Sequence, residues 1–159
     1  MYLKNKNVIF ISSTGGHLDE LLQLKALFSK YNSFIITEKT KSNKQLKDKY
    51  DNVHFLVYGT RKYIITYFFK AIFNVIKSLI LFFKIKPKVI VTTGTHTAVP
   101  MCYIAKIFRK KVIYIETYAN RSTKTLTGRM IYPIADTFIV QWEEMLKLYP
   151  KAIYTGSIY

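Results

Sequence analysis

A buried strand running straight into a double-glycine turn and a helix is the feature that most limits what this chain can fold into. Val8-Ile9-Phe10-Ile11 is a continuous apolar run, the pattern of a strand covered on both faces. Ser12-Ser13-Thr14 leads out of it, Gly15-Gly16 turns, and Leu18, Leu21, Leu22 and Leu24 take up helical spacing. Gly15 and Gly16 permit backbone angles and close approaches that side chains forbid. Asp19 and Glu20 fall in the first helical turn, where negative charge suits the helix dipole. The start of a helix behind such a turn offers free N–H groups to an anion or a sugar hydroxyl. His17 stands at that mouth, and histidine is the side chain that titrates near neutrality.

The rest of the chain repeats the strand-then-helix rhythm. After a helix from His17 to about Lys30, strands are expected at Ser33 to Thr37, Val53 to Val57, Lys88 to Thr92, Lys111 to Ile115 and Asp136 to Val140. Between them lie a lysine-rich loop with a short helix (Lys39 to Tyr50), a long helical stretch (Tyr63 to Ile85), a helix over Ala98 to Phe108, and a polar loop then helix ending near Tyr132. A short helix over Glu143 to Leu148 closes the pattern. Alternation of this kind predicts an α/β fold: one Rossmann-like parallel sheet with flanking helices, within a single domain over residues 1–159. Ligands of such sheets bind at the carboxyl ends of the strands. Those ends carry Thr14-Gly15-Gly16-His17, Gly59-Thr60-Arg61, Thr93-Gly94-Thr95-His96 and Glu116-Thr117.

The long helical stretch has its own pattern. Lys70, Lys77 and Lys84 recur every seven residues, so they fall within about 40° of one another on a helix. Nearly everything else from Ile64 to Ile85 is large and apolar. Its length, about 33 Å, would cross a bilayer. A lysine at the bilayer centre, however, costs about 2.5–3.5 kcal/mol. A helix lying in the interface keeps its apolar face buried and lets the lysines reach phosphates. The net charge of +16, from 25 Lys and Arg against 9 Asp and Glu, argues for an anionic partner and against an acidic role. Thirteen Tyr and eleven Phe beside those lysines suit a membrane interface. No nucleic-acid-binding motif is present, and nucleic acid is not expected as a partner. The single cysteine, Cys102, lies in an apolar helix and reads as a small buried hydrophobe; no disulfide within the chain is possible.

Among groups that carry chemistry, His17 is the candidate general base at the crevice, against a plain turn or capping role. His17 and His96 each follow a glycine turn, yet no third ligand stands at a recognisable spacing, so no metal is expected. Glu116 ends a buried strand, as an acceptor for a ligand hydroxyl or as a cap for the next element. Thr-Gly-Gly-His lacks the Gly-x-Gly-x-x-Gly spacing and no Walker lysine is present. No cofactor is expected.

Several motifs in fixed order resemble a known family. They are Ser12-Ser13-Thr14-Gly15-Gly16-His17, Thr93-Gly94-Thr95-His96-Thr97-Ala98-Val99-Pro100, Tyr114-Ile115-Glu116, Leu126-Thr127-Gly128-Arg129 with Tyr132-Pro133-Ile134-Ala135-Asp136, and Phe138-Ile139-Val140-Gln141-Trp142. Together they resemble the acceptor-side, membrane-associated subunit of split GT-B glycosyltransferases. One branch comprises bacterial capsule and exopolysaccharide subunits. The other is the membrane-anchoring subunit of the eukaryotic dolichol-linked N-acetylglucosaminyltransferase. The resemblance implies the N-terminal half of a GT-B enzyme, with the donor UDP-sugar held by a separate catalytic partner chain. It implies His17 as base on the acceptor hydroxyl and Glu116 as a second catalytic group. Gly15, Gly16, Gly94, Thr95, His96 and Asn120 would meet the acceptor or its diphosphate. Arg61, Lys70, Lys77 and Lys84 would meet lipid phosphates. The expected complex transfers a hexose to an undecaprenyl-diphosphate-linked saccharide in capsule or exopolysaccharide synthesis, at the cytoplasmic face of a bacterial plasma membrane, with this chain bound peripherally and inactive or weakly active alone. The alternative is a non-catalytic membrane scaffold for that partner.

Overall fold

The computed structural model describes residues 3–59 and 64–158. Seven strands form one sheet, all neighbouring pairs parallel. In chain order the elements are β1 (Leu3–Ile11), α1 (Gly16–Gln23), α2 (Lys25–Phe28), β2 (Tyr31–Glu38), α3 (Leu46–Lys49), β3 (Val53–Leu56), α4 (Ile64–Ile85), β4 (Val89–Thr92), α5 (Val99–Ile107), β5 (Lys111–Ile115), α6 (Leu126–Ile131), β6 (Thr137–Val140), a 3-10 turn (Glu143–Lys147) and β7 (Ile153–Tyr154). The spatial order is β3-β2-β1-β4-β5-β6-β7. β1, which ends in the apolar run Val8-Ile9-Phe10-Ile11, is therefore an interior strand, with Ile11 opposite Ile36 on one side and Thr92 on the other. Its two neighbours lead away in opposite directions. The gap between the ends of β1 and β4 is thus the topological switch point, where such sheets bind ligands.

The parallel sheet agrees with the expected fold class, and the differences are local. The helix expected from His17 to Lys30 is two pieces that share Leu24 as cap. The closing helix is a 3-10 turn. A seventh strand of two residues adds to the six expected; so short a run carries no periodicity to read. The core lies on both faces of the sheet. On one face Ile9, Ile11 and Ile90 pack with Leu81, Phe82 and Ile85 of α4 and with Met101, Cys102 and Ala105 of α5. On the other, Val8, Phe10 and Val91 pack with Leu21 and the half-buried Leu24, Leu27 and Phe28. Cys102 is fully buried, which pushes its thiol up to about 12, so it behaves as a hydrophobe.

Candidate functional site

The glycine turn places His17 at the switch point. Gly15 caps α1 with a positive φ of 79°, the left-handed region that favours glycine. Its carbonyl accepts from the N–H groups of Leu18 and Asp19. No side chain caps this end of α1, and a Cβ on Gly15 or Gly16 would meet no atom within 4 Å. The mouth is open. His17 Nδ1 lies 2.7 Å from the Thr93 carbonyl oxygen at the end of β4. A carbonyl only accepts, so Nδ1 carries a proton and donates; in the neutral imidazole Nε2 is then the acceptor, the form a general base requires. The Thr93 hydroxyl donates back to the His17 carbonyl at 2.6 Å. This reciprocal pair ties the first turn of α1 to the end of β4. Gly94, at φ 97°, sits directly beneath: a Cβ there would stand 3.5 Å from His17 Nδ1 and 3.4 Å from the Tyr114 hydroxyl.

His17 opens onto a cavity of about 330 Å³ that it lines with Gly16, Glu20, Thr117, Tyr118 and Ala119. Glu20 is the residue that sequence reasoning missed, since a place in the first helical turn, where the structure has Asp19 but not Glu20, already accounted for its charge. Its side chain is 3% exposed. Oε1 accepts from the Thr117 hydroxyl at 2.8 Å and the Tyr118 amide at 2.9 Å. Oε2 is buried without a partner. Burial raises the Glu20 carboxyl above its usual 4.5, partly offset by those two hydrogen bonds and by His17. An acid with a raised folded value stabilises the fold fully below the unfolded value, and that contribution disappears as pH rises through the folded one. Glu20→Gln keeps the Oε1 acceptor and imitates the protonated form. Its stability relative to the parent, followed by urea unfolding, is expected to increase as pH rises from about 4.5 towards neutrality. A constant difference across that range would remove Glu20 as a titrating group.

His96 lies on the β2 side of the same edge. Its Nε2 is 3.6 Å from Glu38 Oε1, and the Thr97 hydroxyl donates to that same oxygen at 2.8 Å. The Tyr67 ring packs on His96 with centroids 5.6 Å apart. The Thr95 hydroxyl is buried without a partner. His17, Gly94, Thr95 and His96 thus form one continuous edge, as expected from the sequence.

The structure does not bring Glu116 to that cavity. Its side chain is 1% exposed and is held by a set of surrounding donors. The Thr125 hydroxyl lies 3.0 and 2.9 Å from its two oxygens, the Tyr149 hydroxyl donates at 2.9 Å, the Tyr114 hydroxyl at 3.3 Å and the Thr117 amide at 3.0 Å. Thr125 is itself the N-cap of α6, accepting from the Gly128 amide at 2.9 Å. Of the two readings the sequence left open, these contacts describe the anchor of the next element. Burial and the nearby carboxylate raise the Tyr114 and Tyr149 hydroxyls well above their ordinary value, which keeps both as donors. Asn120 is spent on its own loop, where Oδ1 accepts from the Thr123 hydroxyl at 2.9 Å. That loop is pinned from outside: the Tyr118 and Trp142 rings lie 4.6 Å apart, Trp142 Nε1 donates to the Tyr118 carbonyl, and Arg121 covers the Trp142 ring.

The lysine-striped helix α4 packs by one face and exposes the other. Asn74, Ser78, Leu81, Phe82 and Ile85 are buried. Asn74 acts as a clamp: its Oδ1 accepts from the Val57 amide and its Nδ2 donates to the Val57 carbonyl, both at 2.8 Å. Phe68, Phe69, Phe73, Ile76, Ile80 and Phe83 are each more than half exposed. Scattered exposed hydrophobics are ordinary, but a contiguous helical face of them marks a contact surface. The lysines do not top this face. Lys70 and Lys77 are half-buried along its β3 side and Lys84 is exposed. Arg61, expected to join them, lies outside the described residues. Among the described residues no helix is long and apolar enough to cross a membrane, and no three His, Cys, Asp or Glu side chains gather as a metal site.

Residues 7–158 match the family described as "Oligosaccharide biosynthesis protein Alg14 like". The chain belongs to that family. Curated relatives named "UDP-N-acetylglucosamine transferase subunit ALG14" include those of Debaryomyces hansenii (27% identical, covering 98% of this chain and 78% of the relative), Homo sapiens (25%, 96% and 82%) and Rattus norvegicus (34%, 57% and 44%). Among solved structures, Acinetobacter baumannii MurG superposes with a TM-score of 0.71 at 17% identity, over 87% of this chain and 42% of that one. A UDP co-structure of S. aureus MnaA gives 0.73 at 13%, over 96% and 45%. At such identity the likeness is one of fold: that of a GT-B N-terminal half. The Alg14-like chain spans less than half of either structure.

Proposed function

We propose that this Alg14-like chain is the acceptor-side, membrane-recruiting subunit of a two-component inverting glycosyltransferase. A partner chain holds the UDP-sugar, and the complex transfers a hexose to a lipid-linked saccharide in capsule or exopolysaccharide synthesis. The observation that carries this reading is the exposed apolar face of α4 on a GT-B acceptor-type domain whose sheet edge presents His17 as an Nδ1-protonated imidazole. In the reaction His17 Nε2 takes the proton of the acceptor hydroxyl. The oxygen attacks the anomeric carbon from the face opposite the nucleotide. The glycosidic bond forms as the bond to UDP breaks, and UDP leaves with the electron pair. The relatives named as transferase subunits support the division of labour, and the undecaprenyl-diphosphate acceptor and peripheral attachment at the cytoplasmic face follow from the same reading.

The test is reconstitution. This chain, the UDP-sugar-binding partner and their mixture are assayed on vesicles carrying polyprenyl-diphosphate saccharide. The mixture is expected to exceed either chain alone; a mixture no faster than the partner would overturn the reading. Membrane recruitment has its own readout. Withdrawing one large side chain from water is worth about 1.5–3 kcal/mol. Ile76→Asp with Ile80→Asp is therefore expected to lower co-sedimentation with anionic vesicles more than tenfold while circular dichroism stays unchanged. Undiminished sedimentation would mean that α4 meets something other than lipid.

A further inference from the structure

A second cavity, of about 620 Å³, runs along the outermost strand β3 beside α4. Four lysines from three parts of the chain line it: Lys39 just after β2, Lys47 on α3, and Lys70 and Lys77 on α4. His54 and Tyr58 are among the other lining residues, and among the described residues no carboxylate is. Of the acids next in sequence to these lysines, Glu38 is buried and engaged by Thr97 and His96, and Asp48, beside Lys47 on α3, does not line the cavity. Among the described residues the ion pairs involve Lys106, Lys111, Arg121 and His96, none of them a lysine of this cavity. Concentrating four cations in one concavity without a counter-charge is unfavourable unless an anion occupies it, and low-dielectric walls focus their field. Two of the four are held over aromatic faces, Lys47 at 5.5 Å from the Phe55 centroid and Lys77 at 5.9 Å from that of Phe73. His54 contributes no further charge. Burial, then Lys84, Lys47 and Lys77, hold its imidazole below the usual range, and Phe34 stacks on it.

The position says what kind of anion fits. Phe73, under Lys77, belongs to the exposed apolar face of α4, so a charged head seated among the lysines would have a hydrophobic surface beside it. In the other direction Tyr58 lines the cavity, and the next residue, Gly59, lies against Tyr67 and within 3.8 Å of His96 Nε2, measured from where its Cβ would stand. From His96 the edge continues through Gly94 to His17. We propose that this cavity is the diphosphate site of a lipid-linked ligand. Lys39, Lys47, Lys70 and Lys77 pair with the phosphate oxygens, the lipid chain runs off along α4, and the saccharide extends past Tyr58 and His96 towards His17. This relocates the diphosphate from the glycine turn, where the sequence alone would put it. It rests on the reading of the acceptor as lipid-linked, but its binding test needs neither partner nor turnover.

The chain is titrated with inorganic pyrophosphate at low salt and followed by NMR. Saturable binding is expected, with shifts confined to residues 39–58 and the lysines of α4, and with the His54 titration moving upward as the anion compensates the lysines. Lys39→Gln with Lys47→Gln, both exposed positions, is expected to weaken binding at least tenfold. The charge-matched control Lys25→Gln with Lys30→Gln, neither of which lines the cavity, is expected to change it less than twofold. Absent saturation, or equal losses in the two double variants, would overturn the site. Vesicles separate the sources of the anion. The Lys39/Lys47 variant is expected to lose at least tenfold on phosphatidylcholine vesicles carrying polyprenyl diphosphate, but under threefold on phosphatidylglycerol vesicles of equal charge. Equal losses on both would reduce the cavity to general membrane attraction and overturn the proposal.

Discussion

Glu116→Ala is expected to destabilise the fold by about 3 kcal/mol or more, because it strips the acceptor from several buried donors at about 1–3 kcal/mol each. The carboxylate is where the ends of β5, α6 and the chain after β6 meet. It accepts from Tyr114 on β5, from Thr125 at the cap of α6 and from Tyr149 beyond the 3-10 turn. Truncation leaves three hydroxyls and the Thr117 amide to find other partners in a space closed to water, at about 1–3 kcal/mol for each donor left buried and unpaired. It also opens a void beneath Gly128, where a Cβ would collide with Glu116 Oε2 and Tyr149 Oη and stand 2.8 Å from Thr125 Oγ1. Glycine at 128 is therefore a packing requirement of this carboxylate. Glu116→Gln retains one acceptor oxygen but turns an NH2 group towards hydroxyls already donating, so an intermediate loss is expected. Urea unfolding of the three proteins measures this directly. A loss under 1 kcal/mol for the alanine variant, with turnover of the reconstituted complex abolished, would return Glu116 to a chemical role.

That contrast shows what could be read from residues alone. The parallel sheet was legible because its strands are continuous apolar runs and its helices have helical spacing, and both are local patterns. The glycine turn, His17 and the Gly94 edge were legible because strand ends of a parallel sheet converge, which topology guarantees. Glu116 was ambiguous because its three hydroxyl partners lie 2, 9 and 33 positions away, distances over which sequence carries no spacing signal. Glu20 was overlooked for the opposite reason: a first-turn acid needs no tertiary partner, yet Thr117 and Tyr118 lie 97 and 98 residues downstream. The lysine stripe was seen, but its companions Lys39 and Lys47 sat in a polar segment that reads as solvated loop. Only the crossing of α4 beside β3, fixed by Asn74 on Val57, turns the two sets into one cavity.

The other large effect concerns His17. In the reconstituted complex His17→Ala is expected to lower turnover by about 10²-fold or more, the contribution of a positioned general base. The fold should survive, because the variant gives up one hydrogen bond to the Thr93 carbonyl, worth about 0.5–1.5 kcal/mol, while the Thr93 hydroxyl still donates to the backbone of residue 17. His17→Asn separates positioning from proton transfer. Its amide can still donate to the Thr93 carbonyl and hold the turn against β4, but it offers no basic nitrogen. If His17 is the base, both variants lose turnover alike, both keep vesicle and partner binding, and both lose the acid limb of the kcat/KM profile that reports the free enzyme's base. If His17 only braces the turn, asparagine restores most of the activity that alanine loses and the limb persists. If neither variant falls below half of the parent rate, the chain is a scaffold whose cleft does no chemistry, and the proton acceptor belongs to the partner that carries the UDP-sugar.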